Sequence, residues 1–528
     1  ALPFIGVFPV PNGPISGNTG KFLFSPKRLG EENYVIGKID HYFSSATTLS
    51  GSYTYDNTKV SNNDNYNLKD TLVPSRRQYV VLNLQHIFSP SLINNVRVGV
   101  GRFFGGNNFD VNPKIPQLSD PAFGFVPGRL FGTLRVSGVS QGTNVGGIPS
   151  GIGASGQNNW GYTAPQLYDD VSWTKGRHSM RFGGGIERVL SNIDQRNRPN
   201  GLWTFGSIEN MLRVIPDQFG GLIPGSDTIR GARNSIIGAY FQDDFRIRPN
   251  LTINLGVRYD TTTVVKEVNG KIASLRSLTD PAVTVGDPYY NNPTFKNFAP
   301  RIGFAWDPFK DGKTAIRGGV GMFDIVPLPY LLVNHIQRTT PFYKEGTIAG
   351  AALLGPLFPS QAFSQLSVRT LQATRVEPNP PRSYKMQWNL NVQRQLTRTI
   401  ALTVGYVGSV GVKLAAMTYD FNQVPPNLVS FNGRNYVFPI PAGNNLGAIQ
   451  KTNPNFGQIR STDFRGHSSY HSMQVNFVQR PTKGLSYQVA YTWSKSIDNG
   501  TNTTGGDNLN TLQGPWSFCQ RCERGPSD

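Results

Sequence analysis

Apolar and polar residues alternate strictly in several parts of the chain. From Leu251 to Asp260, apolar side chains occupy the odd positions, and polar residues or glycine occupy the even positions. The segments 384–393, 399–406 and 486–493 follow the same rule, with one small alanine on the polar side of each of the last two. Because successive side chains of a strand point to opposite faces, each segment predicts a β-strand with one apolar and one polar face.

Two architectures use such strands: a soluble sandwich with its apolar faces inward, and a membrane barrel with its apolar faces towards lipid. The alternating segments are about 9–11 residues long, as expected of tilted transmembrane strands, whereas sandwich strands are nearer 5–6 residues. Aromatic residues also gather near the predicted strand ends, as in the interfacial girdle of a barrel. These residues are Tyr259, Trp306, Phe323, Tyr406 and Trp493. The pattern therefore favours an all-β, antiparallel transmembrane barrel.

Short and long connections alternate between the predicted strands. The short polar turns lie at 88–91, 246–250, 307–313, 395–398 and 480–484. The long stretches rich in Gly, Pro and Asn lie at 105–160, 262–297, 326–381 and 415–468. Short periplasmic turns and long extracellular loops are typical of outer-membrane barrels. The periodicity predicts about 14–16 strands, so we expect the barrel to be incomplete within this chain.

Composition supports this interpretation. No run of 18 or more apolar residues occurs, and only 38% of the 528 residues are hydrophobic, which argues against transmembrane helices. The formal charge of +19 raises nucleic acid and anionic lipid as partners. Because the Lys and Arg residues are dispersed, we expect solvated loops, a polar interior and outer-membrane lipid contacts, and no nucleic acid. Ala1 follows no recognisable signal peptide, so we expect a processed or internal start.

The His and Asp residues that could act as metal ligands or catalytic groups do not support an enzymatic function. His467 and His471 precede a predicted strand, where their spacing would separate them by about 13 Å, too far to share a metal. The adjacent pairs Asp169–Asp170 and Asp243–Asp244 should face opposite sides of strands, unlike a convergent catalytic pair. We therefore expect no catalytic residues, no cofactor and no metal site.

Glycine runs and cysteines also have structural interpretations. Gly183–Gly185 and Gly318–Gly319 lie within predicted strands and no helix follows them, so we expect them to ease curvature or close packing and not to cradle phosphate. Cys519 and Cys522 form a single C-x-x-C near the end of the chain. Without a second pair this spacing is weak support for zinc or redox chemistry, and a loop disulfide or an incidental pair is the preferred interpretation.

Several motifs in the same strands, taken in their order along the chain, resemble the barrel of Oar-like TonB-dependent receptors. The resemblance is carried by the segments 240–260, 297–306, 312–321, 388–394, 405–409 and 491–498. The helix-like stretch 207–216 also falls where such receptors carry a short amphipathic insertion. The resemblance covers most of residues 30–528, although no plug domain, TonB box, regulatory-like N-terminal domain or aromatic-ended closing strand is recognisable.

The resemblance implies a fold, a location and a function. Residues 1–30 would enter the barrel, and residues 31–528 would form a partial receptor barrel in the cell outer membrane. The full-length protein would bind a bulky extracellular ligand and take it up with energy supplied through the TonB complex. Siderophore, glycan and peptide remain open as ligands. The alternative is a surface adhesin or secreted β-rich structural protein without transport.

Overall fold

The computed structural model describes most of the chain. The described residues are 2–64, 66–112, 114–138, 151–153, 156–292, 295–327, 335–353, 355–367, 370–418, 420–422, 427–431, 434–438, 451–482, 484–499 and 524–527. Among them, no helix is both long and apolar enough to cross a membrane.

Fourteen long strands in the described residues form one curved sheet. They are β1 (Arg28–Tyr42), β2 (Thr47–Asn63), β3 (Lys69–Ser89), β4 (Leu92–Val111), β5 (Gly156–Lys175), β6 (His178–Asn197), β7 (Ile229–Arg248), β8 (Leu251–Thr262), β9 (Phe298–Trp306), β10 (Thr314–Asp324), β11 (Tyr384–Gln395), β12 (Ile400–Thr418), β13 (Ile459–Thr482) and β14 (Leu485–Asp498). Each strand pairs antiparallel with the next one from β1 to β14. The predicted all-β antiparallel fold is confirmed.

The two outermost strands each have an unpaired edge. Every residue of β1 is exposed, and β14 is exposed from Leu485 to Lys495. Within the described residues, no hydrogen-bond ladder joins β1 to β14, so the sheet is an open barrel wall. A short piece, Gly525–Pro526, pairs with the last two residues of β14.

The apolar side chains of the wall point outward. Leu255 of β8 pairs with Ile302 of β9, which in turn pairs with Val320 of β10. These three side chains are 44%, 54% and 43% exposed. A water-soluble protein rarely exposes such a continuous apolar face. A barrel in lipid needs one, and the structure therefore has the predicted apolar-out arrangement.

The buried core of the protein lies in the loops. A four-stranded sheet is built from Thr133–Val136, Leu202–Phe205, Gln218–Leu222 and Glu345–Ala349. Further short strands are Ile15–Ser16, Thr19–Gly20, Lys266–Glu267, Ala273–Ser274, Thr284–Val285, Ala373–Val376, Asn427–Phe431 and Arg434–Phe438. The α-helices are Leu2–Ile5, Pro116–Ser119 and Ile208–Leu212, and the 3-10 helices are Pro121–Phe123, Gly350–Ala352 and Gln361–Gln365. We call this loop assembly the cap.

The strands are longer than the predicted 9–11 residues. They range from 9 residues in β9 to 24 in β13, so parts of the predicted loops 105–160 and 415–468 are strand. These extensions lie at the cap end, where the strands contact loops and not lipid. Alternation is not required there, because both faces can be polar. The helix within 207–216 is confirmed, and the Ser207 hydroxyl accepts a hydrogen bond from the Asn210 amide as an N-cap.

One residue of the predicted aromatic girdle was assigned to the wrong face. Phe323 pairs with Lys385 and lies on the polar face, where the Arg301 guanidinium stacks on its ring. In β10 the outward residues are the even ones, including Ile316 and Val320, so an odd position must face inward.

Charge should be tolerated on only one face of β8. Leu255→Arg should lower the free energy of unfolding by about 2–4 kcal/mol, because its charge would enter lipid. Thr252→Arg should be nearly neutral, because Thr252 lies on the polar face. Denaturant titration in lipid vesicles measures both. Cysteines at these positions provide the control, because a lipid-borne spin label should quench a probe only at position 255. Equal quenching at both positions would contradict the barrel orientation.

Candidate functional site

The polar face of the wall carries a groove of about 510 Å³ across β7 to β11. The residues of the polar face that line it are Tyr240, Gln242, Asn254, Arg258, Arg301, Phe323, Gln387 and Asn389. Its lining also includes Phe241, Leu255, Val257, Ile302 and Val320 of the same strands. Glycines form its floor, and Gly303 of β9 pairs directly with Gly319 of β10. Because glycine has no side chain, a ligand can approach the backbone closely there.

The charged groups of this face are only partly paired. Arg258 donates two hydrogen bonds to Asp260, at 2.6 and 2.8 Å. The Arg301 guanidinium lies 4.4 Å from the centre of the Phe323 ring. Within the described residues, its buried Nε has no hydrogen-bond partner. A face that offers guanidinium, amide and phenol groups can bind polar ligands by hydrogen bonds.

The glycine run in β6 is explained by close packing. A Cβ atom on Gly185 would lie 2.2 Å from the Tyr168 ring and 2.8 Å from the Leu167 carbonyl oxygen. A Cβ atom on Gly183 would lie 2.4 Å from the Asp169 carbonyl oxygen. The rings of Tyr168 and Tyr240, from neighbouring strands, therefore pack closely against β6 because these positions lack side chains. The expected packing role of this run agrees with the structure.

The cap has an aromatic core of its own. Phe4, Phe125, Phe131 and Trp203 are buried and pack together with Phe358. The Trp203 indole also donates a hydrogen bond to the Pro359 carbonyl at 2.9 Å. Residues from the start of the chain and from several loops therefore fold as one body at the extracellular end of the strands.

A second buried cluster of the cap includes Ile336, the neighbour of the buried His335 in sequence. Tyr289, Tyr290 and Ile336 belong to this cluster and are essentially inaccessible to solvent. The His335 Nε2 atom lies 3.2 Å from the Thr462 hydroxyl. Burial, with Arg460 and Arg338 nearby, lowers the pKa of His335 to about 3. The imidazole is therefore neutral at physiological pH.

Buried polar groups tie the cap to the wall. The Glu267 carboxylate accepts hydrogen bonds from the amides of Gly231, Asn269 and Lys271, at 2.8 to 2.9 Å. Asp227 bonds to the side chains of both Arg230 and Lys271. Removing one partner of such a buried group leaves the other unsatisfied, so these contacts fix the loop positions.

A second cavity, of about 550 Å³, lies where the cap meets the strand ends. Its charged lining residues are Asp70, Asp110, Arg129 and Arg196. The loop 222–226 closes one side of it. The cavity presents both signs of charge, amides and backbone groups at the extracellular end.

The aspartates singled out in the sequence have four separate environments. Asp169 accepts a hydrogen bond from Asn94, and Asp170 accepts one from the Tyr240 hydroxyl at 2.6 Å. Asp243 lies 2.6 Å from the His178 ring nitrogen, and Asp244 accepts a bond from Asn254 at 2.6 Å. Each pair is split between the two faces, as expected. Neither pair converges on one point.

The two histidines lie inside strand β13 and not in a loop before it. The His471 Nδ1 atom lies 2.8 Å from the Tyr406 hydroxyl on the outward face, near the Trp388 ring. His467 lines a different cavity with Arg465. Within the described residues, no cluster of three or more His, Cys, Asp or Glu could hold a metal ion. Cys519 and Cys522 lie outside the described residues.

Sequence reasoning missed the cap. Its residues lie in stretches that lack alternation and were assigned to loops. Clusters of large apolar residues inside those stretches, such as Phe123–Phe131 and Leu202–Phe205, were the available signal. Glycine-rich and proline-rich loops that also carry many aromatics are able to bury a core.

Comparison with known proteins identifies the family. A family model described as "Outer membrane beta barrel domain" matches residues 1–528. No curated protein sequence matches the chain.

Several solved structures are similar to this chain at low sequence identity. The outer membrane transporter YddB from Escherichia coli is 11% identical with a TM-score of 0.50, covering 89% of this chain and 49% of that protein. The ferripyoverdine receptor of Pseudomonas aeruginosa, bound to ferripyoverdine, is 10% identical with a TM-score of 0.48, covering 90% and 50%. The copper transporter OprC is 9% identical with a TM-score of 0.47, covering 89% and 56%. The chain spans about half the length of these proteins.

Acid should loosen the cap through His335. Its pKa is lower in the folded state than the usual value near 6.5, so only the unfolded cap takes up a proton as the pH falls. The stabilisation is complete above pH 6.5 and is lost towards pH 3, by about 1.4 kcal/mol per pH unit. Hydrogen exchange of segments 370–378 and 459–464 at pH 7 and pH 5 measures this loss. His335→Gln should show a weaker pH dependence, and an unchanged dependence would count against His335.

Proposed function

We propose that this chain, which belongs to the outer membrane beta barrel domain family, forms much of the wall and the ligand-binding cap of an uptake receptor. The protein lies in the outer membrane. The observation that carries the proposal is a folded cap, with its own aromatic core, on a wall whose inner face is polar. A cap that only covered a structural barrel would not need a polar groove of about 510 Å³ below it.

The cap and the inner face suit a bulky polar substrate. The groove and the cap cavity together offer guanidinium, carboxylate, amide and aromatic groups. Large ligands need several such contacts, spread over loops that a rigid wall positions. Iron chelates, glycans and peptides are the three substrate classes to test, because each carries many hydrogen-bonding groups.

The receptor would be completed by further strands of the same protein. Backbone groups on the free edges of β1 and β14 have no water to bond in the hydrocarbon region, where each unsatisfied group costs several kcal/mol. In this proposal residues 31–528 form the partial barrel and residues 1–30 lead into it. The complete receptor is of the Oar-like type, and its plug transmits energy from the TonB complex.

The edge strands should become protected in the full-length protein. In the isolated chain, the backbone amides on the unpaired edges of β1 and β14 should exchange their hydrogens within seconds to minutes, because they bond only to solvent. In the full-length protein the same amides should be protected at least about 100-fold. Hydrogen exchange with mass spectrometry compares the two, with β7 as an internal reference that is paired on both edges. Rapid exchange of β1 and β14 in both proteins would contradict closure by further strands.

Uptake should depend on the cap core. Trp203→Ala should destabilise the cap by about 3–5 kcal/mol and lower uptake severalfold, because it leaves a cavity among the packed rings. Trp306→Ala, on the lipid-facing surface, is the matched control and should leave uptake nearly unchanged. The measurement is the amount of a labelled iron chelate, oligosaccharide or peptide that cells take up. It is made for each variant with and without a protonophore.

Two outcomes would contradict the proposal. One is accumulation of every probe at the level of cells that lack the protein. The other is release of the protein from membranes by high salt and carbonate, which would favour the adhesin.

A further inference from the structure

A small cavity lined by four cations lies at the periplasmic end of the wall. It measures about 210 Å³ and lies among the turns at the lower ends of β10 to β13. Its charged lining residues are Lys313, Arg317, Arg398 and Arg480, and among the described residues no carboxylate lines it. Its amide groups come from Gln393 and Gln395.

The backbone fixes the three turns that carry these cations. The Gln395 amide donates to the Lys313 carbonyl at 2.8 Å, and the Arg480 amide donates to the Thr399 carbonyl at 2.8 Å. Arg317 also donates to the Gln393 side-chain oxygen at 3.2 Å. Strand pairing and turn contacts therefore hold the backbone that carries these cations, and the Gln393 side chain also holds Arg317.

Two carboxylates of the turn 307–313 bond within that turn and to Arg394. Asp311 accepts a bond from the Lys313 amide, and its other oxygen lies 3.9 Å from Arg394. Asp307 accepts bonds from the amides of Lys310 and Gly312 within its own turn. Both acids cap the turn, and neither lines the cavity.

The cavity lies on the polar face of the wall. Ala315 pairs with Gln393, and Gln395 pairs with Ala401, and all four residues line the cavity. Lys313, Arg317, Arg398 and Arg480 are exposed. The cavity therefore opens towards the inside of the barrel and the periplasm, and not towards lipid.

We propose that these four cations form a binding site for a small oxyanion, a phosphate-bearing or carboxylate-bearing ligand, at the periplasmic mouth. Like charges grouped in one cavity repel each other, and a bound anion removes that repulsion. Guanidinium groups bind phosphate and carboxylate through two parallel hydrogen bonds. The cavity of about 210 Å³ has room for a small anion such as a diphosphate or a pair of carboxylates. The site is independent of what the cap binds.

Binding of inorganic pyrophosphate and of citrate tests the proposal. The full-length protein is reconstituted in nanodiscs of zwitterionic lipid, and each anion is titrated by calorimetry up to about 10 mM. Arg317→Gln and Arg398→Gln should each weaken the affinity about tenfold. Lys310→Gln removes the same charge from the same rim, outside the cavity, and should weaken it less than about twofold.

The two anions also distinguish the source of the ligand. Tighter binding of pyrophosphate indicates a phosphate site, and tighter binding of citrate indicates a carboxylate site. Electrophoretic mobility before and after heating verifies that every variant is folded. Absence of saturable binding of both anions would overturn the proposal. So would an equal loss in Lys310→Gln, because binding would then follow the total charge of the rim.

Discussion

Backbone hydrogen bonding without water is the constraint on which this structure depends. In the hydrocarbon region every amide and carbonyl must find a partner within the protein, and an antiparallel ladder supplies it from strand to strand. The ladder joins every neighbouring pair of strands from β1 to β14, with local register shifts in some pairs. The ladder also fixes which face each side chain occupies. Once two strands are paired, a shift of one residue would move every side chain of a strand to the opposite face.

The cap is stabilised by a different interaction. Outside lipid, the loops bury aromatic side chains away from water, and the core around Trp203 and Phe358 is the result. The wall buries few side chains in the usual sense, because its apolar face is solvated by lipid. The wall thus exposes its apolar side chains to lipid, whereas the cap buries them in a core. The strand ends separate the two regions. The long strands reach past the membrane and carry the cap.

Charge is distributed along the barrel axis in a way that the total of +19 conceals. Acidic and basic groups are paired in the cap, as at Asp227 with Arg230 and Lys271. On the inner face they are partly paired, as at Arg258 with Asp260. At the periplasmic mouth four cations share one cavity.

The sequence by itself determined the class of fold and the orientation of the wall. Alternation at Leu251–Tyr259 is a local property, and a strand transmits it directly to its two faces. The inward position of Phe323 also follows from the sequence, because Ile316 and Val320 place the even-numbered residues of β10 on the outward face. Three things depended on the tertiary structure: the cap, the environment of His335 and the four-cation cavity. Their contacts join residues far apart in sequence, such as Trp203 with Pro359 and His335 with Thr462. No periodic pattern encodes such contacts, because alternation specifies only which face of its own strand a side chain occupies.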